Sequence, residues 1–149
     1  MAWEFLAISK ITTPSLNGFW FSSNANAGDD FETIVPHDGD ISSSNVTVSL
    51  SGEQSTDGDN DILSYTWNYI GGPDNIIINN SESSNPAFNT SNSFGSSDKV
   101  YQFELTTTDP YGLVDSDSVT VTVVSEQNLN PVASAPNLEI TILHDGDPE

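Results

Sequence analysis

The side chains best equipped to bind or react are gathered in one stretch, "STDGDNDILSYTW" at 55 to 67, where Asp57, Asp59 and Asp61 stand at alternate positions. Carboxylates in this pattern are spaced like the first ligands of a calcium loop, and hard oxygen donors suit Ca²⁺ rather than zinc. The loop is not an EF-hand, because no glutamate occupies the bidentate position and no helical sequence flanks it. Asp, Gly and Asn are also ordinary turn formers, so the same residues read as the polar turn that precedes a strand. Paired carboxylates are the tools of a glycosidase, but these lie in a solvated, highly charged turn with nothing apolar to raise one pKa above the other. No Ser, His and Asp set sits in a strand-to-helix elbow, and there is no thiol, Gly-rich phosphate loop or basic patch. An enzyme is not expected. His37 and His144 lack a second ligand at strand spacing and read as loop residues. Lys10 and Lys99 are the lysines of the chain; an intramolecular isopeptide bond would have to use Lys99, and nothing in the sequence signals one.

The elements that must position these residues are strands. "FETIV", "NVTVSLSG", "LSYTWNYI", "NIIIN", "VYQFELTTT" and "SVTVTVV" are short, β-branched or aromatic, and separated by Gly, Asn, Asp, Ser and Pro. No segment keeps a helical period. Val46, Val48 and Leu50 share one strand face, as do Leu63, Tyr65, Trp67 and Tyr69; Phe103 and Leu105 match Val119, Val121 and Val123. Half-buried strands of this kind pack as two sheets about 10 Å apart, so the expected fold is an all-β antiparallel sandwich, with a barrel the lesser alternative. Trp67, Tyr65 and Leu105 are expected in its core; for Trp67, filling the space between the sheets outweighs a sugar-stacking role.

Composition narrows the partners. The chain has 149 residues, 2 basic against 22 acidic, for a net charge of -20. Such a polyanion repels nucleic acid and anionic membranes, and its self-repulsion is relieved by bound cations or salt. Without cysteine the fold uses neither disulfides nor thiolate metal sites. No apolar run approaches the roughly 20 residues that span a bilayer. The opening "MAWEFLAISKITTP" does not read as a signal peptide, which points to a piece of a longer precursor or to export without a leader, as in a virion component.

Three regions follow. Residues 1–23 are aromatic-rich, and Trp3, Phe5, Phe19, Trp20 and Phe21 are expected to anchor the chain or contact a subunit. Residues 24–127 form the sandwich. Residues 128–149 contain a partial repeat, because "NANAGDDFETIVPHDGD" at 24 to 40 returns as "PVASAPNLEITILHDGDP" at 131 to 148. This tail reads as the first strand of a second copy, with Leu138, Ile140 and Ile142 offering a face to a neighbouring unit by β-augmentation.

"VTVSLSGEQSTDGDNDILSYTWNY" followed by "YQFELTTTDPYGLVDSDSVTVTVV" resembles the polycystic kidney disease (PKD) type repeat and its cadherin-like relatives. Ser55, Asp57, Asp59, Asp61, Leu63, Tyr65 and Trp67 fall on that pattern, as do Asp109, Gly112 and the run Val119 to Val124. Asn60 stands where the family usually has Gly, and "HDGDISSSN" with the long stretch before Lys99 makes this copy longer than usual. The resemblance implies an immunoglobulin-like sandwich. It also implies a calcium at the domain edge, as in some members, held by Asp57, Asp59 and Asp109, with Asp61, Asp29 and Asp30 as further candidates. Many such repeats bind no metal.

The expected function is a non-catalytic structural or adhesive module on an extracellular, cell or virion surface, working in subunit assembly, spacing or attachment. Its partners would be copies of itself or other structural proteins of the same assembly; the first segment loosely resembles the Trp-and-Ser-Lys openings of some phage tail and virion proteins. The alternative is a carbohydrate-binding accessory module of a secreted enzyme, which requires a planar row of exposed rings and has glycans as partners. Asn45, Asn79 and Asn89 match Asn-x-Ser/Thr, which a chain so rich in Asn, Ser and Thr also produces by chance.

Overall fold

A computed structural model of the chain describes residues 23–40, 42, 44–128 and 131–135. The aromatic cluster Trp3, Phe5, Phe19, Trp20 and Phe21 and the tail residues Leu138, Ile140 and Ile142 lie outside the described residues. Within them all regular structure is strand: β1 Ser23–Asn24, β2 Phe31–Ile34, β3 Asn45–Ser49, β4 Thr56–Asp57, β5 Ser64–Gly71, β6 Ile78–Asn79, β7 Ala87–Ser91, β8 Lys99–Thr108 and β9 Val114–Val124.

Two sheets face each other, one ordered β2-β9-β8-β5 and the other β3-β7-β6, while β1 and β4 pair in a small ribbon at one end. The sandwich is antiparallel except at one edge, where β2 runs parallel to β9 with Phe31 opposite Val121 and Ile34 opposite Val124. The parallel pair arises because the chain enters beside the start of β9 and travels in the same direction along it. Two carboxylates guide that entry: Asp115 Oδ2 accepts the Ala25 amide and Asp117 Oδ2 the Ala27 amide, both at 2.8 Å.

Alternation decides which side chains meet. Val48 and Leu50 from one sheet and Trp67, Tyr101, Phe103, Leu105, Val119, Val121 and Val123 from the other are buried, with Phe88 between them. Phe88 and Phe103 lie with ring centroids 4.6 Å apart at an interplanar angle of 37°. Such aromatic pairs add about 0.5–1.5 kcal/mol beyond their buried area. Trp67 is 2 % exposed and Leu105 fully buried, so both lie in the core, while Tyr65 is partly buried and packs against its side. Gly52 sets the sheet spacing at one point. A Cβ built there would come within 2.8 Å of Leu105 Cδ2, and glycine therefore admits the close approach of backbone to core.

Candidate metal centre

The loop after β4 folds around Asp57. Asp57 Oδ1 accepts the backbone amides of Asp59 at 3.1 Å and Asp61 at 3.2 Å, and the Asn60 amide reaches the Asp57 carbonyl. Closing this tight turn puts Asn60 at φ 64°, a left-handed conformation that Gly adopts freely and Asn tolerates. Asn in place of the family's usual Gly thus keeps the turn.

The turn gathers Asp57, Asp59 and Asp61 so that one oxygen from each lies within 4.8 Å of the others. Asp57 is 9 % exposed, and its Oδ2 and that of Asp61 are buried without a hydrogen-bond partner. Orphaned buried carboxylate oxygens are costly unless something neutralises them. The neighbouring Asp59 side chain holds the Asp57 pKa below the ordinary range, while Asp57, burial and the charge of Asp61 push Asp59 up. Three convergent carboxylate oxygens fit a hard divalent cation. Beside the cluster is an open hollow of about 420 Å³, lined also by Ser55, Leu63 and Tyr65.

The other aspartates implied by the resemblance are placed differently. The third carboxylate of the cluster is Asp61 rather than Asp109. Asp109 is buried, and its Oδ1 accepts the Tyr111 and Leu113 amides at 2.8 Å, closing the turn between β8 and β9. Asp30 Oδ1 accepts the Thr120 amide at 2.7 Å, and Asp29 is exposed. The sequence reading overlooked Asp115 and Asp117, which hold the entering strand. Their signal was the alternation in "DSDSV", which carries the inward side of β9 from carboxylates to Val119.

At the opposite end, His37 is a loop residue whose Nδ1 lies 2.5 Å from Oε1 of Glu126, a carboxylate 2 % exposed. Val35 donates its amide to the Val124 carbonyl just before this contact. The first copy of the repeated His-Asp-Gly-Asp motif therefore fastens the chain where it leaves the sandwich. Lys99 donates from Nζ to Asp74 Oδ2 at 2.8 Å in an ion pair.

The fold, the Asp turn and the Trp67 core are one recurring pattern, and the model of the K319L-like, PKD domain matches residues 36–123. The chain belongs to that family. It is 34% identical over 119 residues to the mouse (Mus musculus) dyslexia-associated protein KIAA0319-like protein, and 30% identical over 119 residues to the mouse dyslexia-associated protein KIAA0319 homolog. These alignments cover 79% and 80% of the chain, which spans 10% of each relative's length. Among solved structures, the PKD domain from KIAA 1837 protein superposes with a TM-score of 0.52 at 28% identity, covering 72% of this chain and 92% of that one. The PKD sandwich is a non-catalytic module, and its immunoglobulin-like fold is the one seen here.

Proposed function

We propose that this PKD domain is a structural or adhesive module displayed outside the cell, on a cell or virion surface, where it spaces subunits, assembles them or attaches them to a partner. Its partners are further copies of itself or other structural proteins. The observation that carries the reading is the pair of buried, unpartnered oxygens of Asp57 and Asp61 at the end where the chain enters the sandwich. Asp57, Asp59 and Asp61 would hold Ca²⁺, which supplies positive charge to a loop of converging carboxylates. Because β4 pairs with β1, a cation at Asp57 also stiffens the entering strand and so the angle to whatever precedes it.

The carbohydrate-binding alternative draws less support. Among the described residues the exposed rings are Phe94 and Tyr111, and Trp67 is buried. They do not make a row of the kind that stacks on sugars.

Two measurements test the proposal. Thermal unfolding in EDTA and in millimolar Ca²⁺, at matched ionic strength, should show a higher Tm with calcium, and Asp57→Ala should abolish the difference. At a hundredfold excess over Kd the expected gain is about 2.7 kcal/mol. Equal transitions would remove calcium from the proposal. Immunogold labelling of intact cells and particles should decorate the exterior; label confined to the cytoplasm would overturn surface display.

A further inference from the structure

The outer face of the three-stranded sheet has no part in the metal centre. Val46, Val48, Ile78, Phe88 and Thr90 point inward, so Asn45 and Thr47 of β3, Asn79 of β6 and Ala87, Asn89 and Ser91 of β7 point outward. In a chain of net charge -20 these strand positions carry no charge at all.

The chain has 15 asparagines, and three begin an Asn-x-Ser/Thr triplet: Asn45-Val46-Thr47, Asn79-Asn80-Ser81 and Asn89-Thr90-Ser91. All three are exposed, and all three lie on this one face. Register brings them together. Asn45 lies opposite Ser91, Thr47 opposite Asn89, and Asn79 opposite Ala87, so each Asn is a diagonal or near neighbour of another, about 7–8 Å away for the closest.

Among the described residues their Nδ2 groups are also without partners. Thr47 Oγ1 donates to Asn89 Oδ1 at 2.7 Å, and among the described residues Asn89 Nδ2 and the Asn45 and Asn79 side chains have no hydrogen-bond partner. Two asparagines outside such triplets contrast with this: Asn92 Nδ2 is bound to the Val123 and Ser97 carbonyls, and Asn85 Nδ2 to Glu53.

We infer that Asn45, Asn79 and Asn89 carry N-linked glycans, so that this sheet face is sugar-covered. The donor is a lipid-phosphate-linked oligosaccharide, used by a transferase before the sheet closes. Nδ2 attacks the anomeric C1, an N–C1 bond forms as the C1–O bond to the lipid phosphate breaks, the phosphate leaves, and the amide loses one proton to a base of the transferase. No electrons are gained or lost. The glycans would stand over β3, an edge strand of its sheet, and shield its unpaired backbone from pairing with other chains. Contacts with partners are then left to the two ends and the four-stranded face. This inference rests on surface display, because only an exported chain meets such a donor.

The test uses protein isolated from its native source. Intact cells or particles are treated with protease to establish outside access, and peptides spanning the three sites are weighed before and after removal of N-glycans, which leaves Asp in place of Asn. Sugar on these peptides is the expected result. In the native host, Thr47→Val should strip the Asn45 peptide and Thr47→Ser should keep its sugar, with the Asn79 peptide unchanged in both; melting curves check that each variant folds. A protein open to protease but with three unmodified asparagines would overturn the glycan inference and leave surface display intact. A protein both shielded and unmodified would overturn the two together.

Discussion

A single carboxylate in this protein changes role with what faces it. Asp57, Asp109, Asp115 and Asp117 all accept backbone amides, yet only around Asp57 do further carboxylates converge. Replacing Asp57 with Asn should keep much of the turn through its side-chain oxygen while weakening calcium binding at least tenfold by titration calorimetry. Tyr101 is fully buried and donates to Asp74 Oδ2 at 2.6 Å. Burial first, and then the bond to Asp74, push the phenol from 10.0 up to about 12. A raised folded pKa means that the contribution is complete below pH 10 and is lost as pH climbs from 10 towards 12. Denaturant midpoints should fall over that window, and Tyr101→Phe should flatten the fall. The same substitution strips the Thr90 hydroxyl of a buried partner and should cost about 1–2 kcal/mol near neutral pH. Asp74 runs the other way. Bonds from Lys99 and then Tyr101 lower its pKa, so its contribution is present above the ordinary carboxylate range and disappears as pH falls through the lowered value.

At the scale of strands, the entering segment and the Gly52 crossing are the two points most sensitive to change. Asp115→Ala with Asp117→Ala removes both acceptors of the Ala25 and Ala27 amides. Hydrogen exchange at those amides should rise at least tenfold, while the amides of β8, bonded between β5 and β9, stay protected. Gly52→Ala forces a methyl against Leu105 in a filled core, for which overpacking costs about 1–3 kcal/mol; urea unfolding measures it. Strand pattern also explains which elements could be read in advance. β3, β5, β8 and β9 announce themselves through alternating apolar residues. β7, "AFNTS", does not: Phe88 is its one large apolar side chain, and Thr90 completes the inward face. The parallel pairing of β2 with β9 was equally silent, because a strand's own sequence does not record its partner.

For the whole molecule, charge is partitioned rather than spread. Within the strands of the two outer faces, hydroxyl and amide side chains dominate, while carboxylates crowd the loops at the two ends. Raising NaCl from about 10 mM to about 150 mM shortens the Debye length from about 30 to about 8 Å, so Tm should rise with salt even in EDTA. A flat response would mean that the end loops are already neutralised by protons or ions.

From the sequence came the strand periods, the two-layer core around Trp67, Tyr65 and Leu105, the Asp turn and the family, because each depends on residues close along the chain. Tertiary structure decided where the remaining carboxylates go. Asp57, Asp59 and Asp61 meet within their own turn, whereas Asp109 is drawn into the β8–β9 turn and Asp115 and Asp117 face the entering strand. The folded arrangement also decided that His37 meets Glu126 and that Asn45, Asn79 and Asn89 share a face. Those relations are set by strand register and sheet order, which side-chain types constrain weakly and only the closed sandwich selects.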